Sequence, residues 1–369
     1  MVWILKRTSL RYTPGIWNLS NFLLVICSVL IASAGVFTTT ADRAVSRDTD
    51  LDELVIDLIG NVVVTDGEVT VTSDSGTVWQ GSGNAVFYSN VTVDVDTLAG
   101  TSHYLEYLKE AGMITMTGNV ILTDGETVLE AGEVVYFRES GKATAKEDVL
   151  MTGPRIGRVE GQYALYDRSR GSLFITVDPI LRRVEGDDSL IVTADRLEFF
   201  PDDNSAEAQG NASVSMPGMD FYSTSEYLRY FGDEDRFELF GSPVLESEDS
   251  EISGDWMEIL LESSGDPRSI RVEGGASGYF LDTGVDPPAE TWFSSERAYF
   301  EFQNGEPDSV MLAGSATLRM KSGGSAASRN EMNTVRGNTL SISFENGEVM
   351  EVIVSGNVTG TYSYLGGNP

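Results

Sequence analysis

The sequence has almost none of the residues from which most catalytic and metal sites are built. It contains one cysteine, Cys27, and one histidine, His103. No intrachain disulfide can form from a single cysteine, and neither a Cys/His zinc cluster nor a Cys–His nucleophile pair can be assembled. A glycine-rich phosphate loop before a helix is also missing. We therefore predict that the protein is not an enzyme and has no catalytic residues, no metal site and no cofactor.

Positive charge is scarce as well. The chain has 25 Lys and Arg residues against 57 Asp and Glu residues, which gives a formal net charge of −32 at pH 7. Such a balance excludes nucleic acid as a partner and an anionic membrane surface as the ligand of the folded part. Any anionic ligand must then be held by something other than charge.

Long apolar runs are missing after residue 37, but the N-terminal segment contains one. The first 34 residues carry three basic residues and no acid, and an apolar run occupies residues 22–32. Basic residues ahead of an apolar run place the N terminus in the cytoplasm and the rest of the chain outside it. We predict that residues 1–37 form a membrane anchor, crossing as a helix over residues 16–37, or a signal peptide cleaved after Ala34.

Helical periodicity is missing from residue 54 onward, and a repeated pair of strands takes its place. The unit is clearest at residues 114–137, where a strand around Val120, a Thr-Asp-Gly-Glu turn and a second strand ending on an aromatic pair follow one another. Its ten copies are anchored on Val62, Val91, Val120, Val149, Ile180, Ala212, Val244, Ala276, Ala316 and Val358. We predict a polar tether at residues 38–53 and a single β-repeat domain at residues 54–369.

Residues two apart in a strand share one face, and this rule selects the interior of the array. In the second strand of each repeat, the inward residues are taken three and five positions after a small residue. The polar residue directly after that small residue, such as His103, is predicted to lie at the rim. The candidate lining residues are Val62, Val64, Val91, Val93, Leu105, Tyr107, Val120, Leu122, Val135, Phe137, Val149, Tyr166, Phe200, Tyr230, Ile259 and Phe300.

Two architectures fit such a repeat. Two strands in 29 to 32 residues favour an elongated all-β jelly-roll or folded-over array, in which two sheets face each other across an apolar interior. The alternative is a parallel β-helix, which usually places three shorter strands in each coil.

The recurring Gly-Asn-Val element, at residues 60–62, 118–120 and 356–358, is followed by a small-residue strand start and a terminal aromatic residue. This series resembles the OstA-like family of lipopolysaccharide-transport (Lpt) periplasmic proteins. The resemblance implies a periplasmic bridge protein of a Gram-negative-type bacterium that shelters acyl chains in an apolar groove between the inner and outer membranes. The inner-membrane-anchored component and the soluble bridge component of that system both remain open.

The resemblance also implies the partners. They are lipopolysaccharide or a similar amphiphilic lipid, other Lpt-type proteins joined by end-to-end strand pairing, and an inner-membrane ABC transporter that drives the movement. Two other functions remain as alternatives. A structural or adhesive β-solenoid predicts a filled interior, and a β-helix enzyme acting on polysaccharide predicts a polar cleft with paired carboxylates.

Overall fold

The computed structural model describes residues 38–48, 53–65, 69–95, 98–154, 157–185, 188–216, 221–262, 266–284, 286–303, 306–323, 331–345 and 348–363. These residues form twenty-eight β-strands and one short 3-10 turn at Pro201–Asp203. None of the helical structure in these ranges is long and apolar enough to span a bilayer. The anchor or signal segment predicted at residues 1–37 lies outside the described residues.

The described residues fall into two compact units. The N-terminal unit comprises residues 38–182 and 195–205, and the C-terminal unit comprises residues 183–194 and 206–363. The strands with at least half of their residues in the N-terminal unit are β1 (Thr38–Thr40), β2 (Arg43–Asp48), β3 (Leu54–Thr65), β4 (Val69–Trp79), β5 (Ala85–Val95), β6 (Leu98–Leu108), β7 (Met113–Thr123), β8 (Val128–Phe137), β9 (Lys142–Gly153), β10 (Gly157–Asp167), β11 (Ser172–Thr176), β12 (Ile180–Glu185) and β14 (Arg196–Phe200).

The C-terminal unit is built in the same way. Its strands are β13 (Asp188–Thr193), β15 (Ser205–Met216), β16 (Phe221–Phe231), β17 (Arg236–Phe240), β18 (Val244–Ser247), β19 (Ser250–Ser253), β20 (Trp256–Leu261), β21 (Pro267–Glu273), β22 (Ser277–Asp282), β23 (Ala289–Ser294), β24 (Arg297–Gln303), β25 (Glu306–Lys321), β26 (Met332–Glu345), β27 (Glu348–Ser355) and β28 (Thr359–Ser363). Most of these strands are shorter than those of the N-terminal unit, although β25 and β26 are the longest strands described.

A bend built from two consecutive left-handed residues recurs in every repeat. In β7 the two residues are Gly118 and Asn119, with φ of 81° and 50°, and the pairing of β7 with β8 shifts register there. Glycine and asparagine are the residues that adopt this conformation at the lowest cost. The equivalent pairs are residues 60–61, 89–90, 118–119, 147–148, 177–178, 210–211, 241–242, 274–275, 314–315 and 356–357. These ten bends confirm the ten predicted repeats.

Each bend either divides one long strand or separates two consecutive strands, and the segments on its two sides enter two facing layers. In the N-terminal unit, β3 to β10 each pair with the next strand in antiparallel fashion. Antiparallel strands can be joined by short turns, whereas a parallel β-helix requires parallel neighbours. The two-layer jelly-roll prediction is therefore confirmed for the described residues.

Residues 38–48 differ from the sequence expectation. Where the sequence predicted a polar tether, β1 and β2 pair with the two halves of β3, for example Thr38 with Thr65 and Arg43 with Ile59. Arg47 Nε also donates a hydrogen bond to Asp57 Oδ2 at 2.9 Å. These polar strands are exposed and are held by backbone pairing, so they lack the apolar alternation by which a strand is recognised in a sequence.

Candidate functional site

A cavity of about 840 Å³ lies between the two layers of the N-terminal unit. Its wall is mainly apolar and draws on both halves of the strands β3 to β7, including Leu58, Phe87, Met116 and Leu122. Ligand sites in proteins typically measure about 300 to 1,000 Å³, so this space has the size of a binding site and not of a packing defect.

The predicted lining residues fall into two groups in this unit. Those that line the cavity are Val64, Val93, Leu105, Tyr107 and Leu122. Those that follow directly after a bend are instead at most 2% exposed and pack as core between the layers, namely Val62, Val91, Val120 and Val149. Tyr166 is also buried but does not line the cavity.

Three of the predicted lining residues lie on the wrong face. Val134 and Tyr136 are buried, whereas Val135 is half-buried and Phe137 is 39% exposed. Ala131 is the residue of β8 that pairs with Val120 after the bend. The prediction instead counted three and five positions from Gly132, one residue later in the chain. Because side chains alternate, a slip of one residue moves the whole set to the other face.

The same slip affects the repeat that contains Phe200. Its small pair is Ala194-Asp195, and counting from the second of these residues selected Phe200. Leu197 and Phe199 are the buried apolar residues of β14, and Phe200 points to the opposite face together with the buried Glu198. Both corrections have one origin, since two adjacent small residues do not reveal which of them faces inward.

The polar residue that follows the small residue of each repeat was predicted to lie at the rim of the array. In the structure its side chain packs over the bend of a neighbouring strand. The carboxylate of Asp42 accepts a hydrogen bond from Asn61 Nδ2 at 2.9 Å, and that of Asp74 accepts one from Asn90 Nδ2 at 2.9 Å. His103 packs against Gly118, where an added Cβ would lie 2.9 Å from the Cβ of His103. A polar residue is favoured at this position because it can bond to the asparagine of the bend.

Charged side chains line the cavity at one edge. Among the described residues that line it, Lys109 and Arg138 are the charged ones, and both are basic. The sequence analysis missed them and expected no contribution from charge, because basic residues in turns are ordinary surface composition. A usable signal was present, since the turn sequences Leu-Lys-Glu-Ala-Gly and Phe-Arg-Glu-Ser-Gly stand 29 residues apart at the same place in consecutive repeats.

In the C-terminal unit, the spaces that border the predicted lining residues Ile259 and Phe300 are small. Ile259 borders a space of only about 10 Å³, and Phe300 borders one of about 100 Å³. Phe280, Phe293 and Phe300 fill the latter region, with ring centroids 5.7 to 6.4 Å apart. Tyr230, another predicted lining residue, is half-buried and packs on Phe237 at 4.7 Å. These residues form a filled core.

Two carboxylates of the N-terminal unit are held in their ionised form by neighbouring arginines. The pKa of Asp57 lies below its usual range because Arg47 donates a hydrogen bond to it, and Arg158 lowers the pKa of Glu160 in the same way. A general acid requires the opposite shift. Within the described ranges, His, Cys, Asp and Glu side chains form no group of three or more that could hold a metal ion.

Comparison with known proteins bears on the same part of the chain. Residues 40–142 match the model of the family described as "LptA/(LptD N-terminal domain) LPS transport protein". This part of the chain is therefore similar to that family of lipopolysaccharide-transport proteins. It contains every residue that lines the large cavity except Thr39, and it confirms the resemblance to OstA-like Lpt proteins that the Gly-Asn-Val series indicated.

One solved structure similar to the chain is LptH from Pseudomonas aeruginosa, described as the LptA-homologous periplasmic component of the lipopolysaccharide transport device. The two are 13% identical, the similarity covers 37% of this chain and 76% of LptH, and the TM-score is 0.19. Comparison with curated proteins found no match.

Proposed function

We propose that this chain is a periplasmic carrier in lipopolysaccharide transport and that the cavity of its N-terminal unit shelters acyl chains. The observation that carries the proposal is the position of the apolar cavity of about 840 Å³ within the residues that match the transport family. A filled interior, as expected of an adhesive solenoid, would leave no such space. The enzyme alternative predicts a polar cleft with paired carboxylates, whereas the described residues that line this cavity are mainly apolar and include no carboxylate.

The physical basis of binding is removal of hydrocarbon from water. Each CH₂ group that enters the cavity contributes roughly 0.8 kcal/mol, so several methylene groups suffice for firm but reversible binding. Phosphates and sugars remain outside in water. Movement along the cavity then requires no reaction catalysed by this chain, and we assign the energy-supplying step to an inner-membrane ABC transporter.

Pairing with other Lpt-type proteins fits the exposed C-terminal strands. Among the described residues, β27 and β28 each pair only with β26. They expose Met350, Ile353 and Tyr362 at 63%, 49% and 55%. An uncovered strand edge with apolar side chains is a template for strand addition, so we propose that a partner chain continues the array there.

Tethering completes the proposal. We propose that the apolar segment at residues 16–37 holds the carrier at the inner membrane. Cell fractionation combined with N-terminal sequencing of the mature protein tests this, since a mature chain that begins after Ala34 would identify a soluble periplasmic protein instead.

The sharpest test of the carrier function uses two neighbouring positions of β7. Leu122 lines the cavity, whereas Ile121 is 41% exposed on the outer face of the same strand. A photo-crosslinking amino acid at position 122, in cells that make radiolabelled lipopolysaccharide, is expected to give a labelled adduct. The same probe at position 121 is expected to give none, and it controls for expression, folding and random collision.

The contradicting result is equally clear. Equal labelling at positions 121 and 122, or none at 122 in a protein that is folded and correctly located, would mean that lipid does not enter the cavity. The carrier proposal would then be abandoned in favour of a structural role.

A further inference from the structure

Three turns at one edge of the N-terminal unit carry a basic residue at the same place. The turns join β6 to β7, β8 to β9 and β10 to β11, and the residues are Lys109, Arg138 and Arg168. All three are exposed. In a chain with 25 basic and 57 acidic residues, three cations at equivalent positions of consecutive repeats are a local reversal of the overall charge.

Backbone contacts hold the three residues in one column. Arg138 N donates a hydrogen bond to the carbonyl oxygen of Gly112 at 2.8 Å, and Arg168 N donates one to that of Gly141 at 3.2 Å. Lys109 N bonds to the side chain of Asn84 in the preceding turn at 2.9 Å. Each turn therefore rests on the one before it, and neighbouring cations stand two strand spacings apart, which is about 10 Å.

Side-chain contacts follow the same pattern. A Cβ added to Gly83 would lie 2.6 Å from Cδ of Lys109, and a Cβ added to Gly141 would lie 3.0 Å from Cβ of Arg168. In the next turn the covering residue is Asp202, whose Oδ2 would lie 3.1 Å from a Cβ on Gly171. The column thus contains three cations and ends at an acid.

The column borders the cavity on one edge only. Lys109 and Arg138 are lining residues of the cavity. Of the turns at the opposite edge of the layers, the one between β7 and β8 is acidic, with Asp124 accepting hydrogen bonds from the backbone of Glu126 and Thr127. Arg158 and Arg182, which lie near that edge outside the cavity, are both paired with Glu160. An amphiphile with an anionic head is therefore favoured in one orientation, with its head at the basic edge.

Neighbouring acidic residues reduce the positive potential of these turns but do not cancel it. Glu110 and Glu139 follow Lys109 and Arg138 in their turns and are exposed, and Arg170 adds a further cation beside Arg168. The guanidinium of Arg170 lies 3.6 Å from the buried carboxylate of Glu198. Cations still outnumber the exposed acids of these turns.

We propose that Lys109, Arg138 and Arg168 form a binding column for the phosphorylated headgroup of the amphiphile whose chains occupy the cavity. The inference rests on the proposed carrier function and assigns the place and orientation of the headgroup. The hydrocarbon supplies most of the affinity, and the column discriminates between anionic and uncharged heads.

The test compares two amphiphiles of equal chain length, dodecyl phosphate and dodecyl glucoside, below their micellar concentrations, by calorimetric titration of the full chain. The test variant combines Lys109→Gln, Arg138→Gln and Arg168→Gln. The matched control combines Lys146→Gln, Arg158→Gln and Arg182→Gln, which removes the same charge from the same unit. The control residues are paired with Glu133 and Glu160 and do not line the cavity.

We expect the wild-type protein and the control variant to bind dodecyl phosphate more tightly than dodecyl glucoside. The test variant should lose roughly tenfold in affinity for the phosphate, because three exposed charge contacts are each weak, and less than about twofold for the glucoside. Raising the salt concentration should remove the advantage of the phosphate in the wild-type protein, since exposed charges are screened. Circular dichroism of each variant verifies that it is folded.

Several results would overturn the proposal. Equal losses in the test and control variants would show an effect of net charge alone. Inorganic phosphate that binds the wild-type protein as tightly as dodecyl phosphate would identify a site for the free anion. If the glucoside binds and the phosphate has no advantage, the column is refuted while the carrier function stands, and if neither amphiphile binds, the carrier function fails as well.

Discussion

The side chain of Glu147 lies over Gly132, and this contact reverses the arrangement found at a neighbouring bend. At the bend in β7 the left-handed residue is Gly118 and the covering residue is His103. At the bend in β9 the left-handed residue is Glu147, with φ of 65°, and the covered position is a glycine. At these two bends the space between the strands thus holds one side chain, which comes from a different strand in each.

This relationship predicts that Gly132→Ala destabilises the protein. An added Cβ would lie 2.7 Å from Cβ of Glu147, and such overpacking costs about 1 to 3 kcal/mol. Glu147→Gly should remove most of that cost, because it clears the space and relieves a left-handed non-glycine residue. Urea unfolding of the two single variants and the double variant measures the coupling. Strictly additive effects of the two substitutions would mean that the side chains at positions 132 and 147 do not compete for the same space.

The bends show how far the sequence determines this fold. Gly-Asn pairs can be recognised in a sequence because few residues accept a positive φ, and they mark four of the ten bends. The inward face of β8 was misassigned because Ala131 and Gly132 are equally small, and only the pairing of Ala131 with Val120 decides between them. Local chemistry thus predicted where the chain bends but not which way each side chain points.

The site was less predictable than the fold. The apolar wall followed from alternation, but the volume of the cavity depends on the separation of two layers, which a sequence pattern does not encode. The basic column was missed because Lys109, Arg138 and Arg168 are distant in sequence and become neighbours only when the turns stack.

A second prediction concerns the most unfavourable residue of any bend. Val177 is β-branched, has φ of 64° and is 54% exposed. Left-handed geometry costs a non-glycine residue roughly 1 to 2 kcal/mol, so Val177→Gly should raise the free energy of unfolding by about 1 kcal/mol. The control is Val352→Gly, at a strand residue that is 42% exposed, which should lower stability by about 0.5 to 1 kcal/mol. Destabilisation by Val177→Gly would show that its side chain makes a contact outweighing the strain.

A third prediction concerns the cluster of phenylalanine rings in the C-terminal unit. Phe293 is 5% exposed, packs between Phe280 and Phe300 and covers Gly278, its partner across β22 and β23. Phe293→Ala should destabilise the full chain by about 3 to 5 kcal/mol, the usual cost of removing a buried aromatic ring. Urea unfolding measures it.

The control for this prediction is the neighbouring aromatic residue on the other face of the same strand. Trp292 is half-buried and packs against Tyr279 in a tilted arrangement, with ring centroids 5.6 Å apart. Trp292→Ala removes a larger ring that is partly in water, so its cost should be about 1 kcal/mol. Similar costs at the two positions would mean that the phenylalanine cluster is not a filled core.

The last prediction concerns alkaline pH. Burial raises the pKa of Tyr227 to about 12, and the hydrogen bond that its hydroxyl makes with Glu207 adds to the shift. Burial alone would raise the pKa of Glu207, but hydrogen bonds from Tyr227 and Arg229, the latter at 2.7 Å, lower it below its usual range. The tyrosine hydroxyl and the carboxylate thus stabilise each other while the tyrosine keeps its proton.

The raised pKa of Tyr227 determines how the stability of the protein changes with pH. Because the pKa is higher in the folded state than the ordinary value of about 10, the stabilisation is complete below about pH 10 and is lost as the pH rises toward 12. Tyr227→Phe should flatten this decline in urea unfolding from about pH 9 upward. With 14 tyrosines in the chain, the wild-type minus variant difference in tyrosinate absorbance isolates the titration. Glu207→Gln should move that titration to lower pH, and an unchanged midpoint would show that Glu207 does not contribute to the shift.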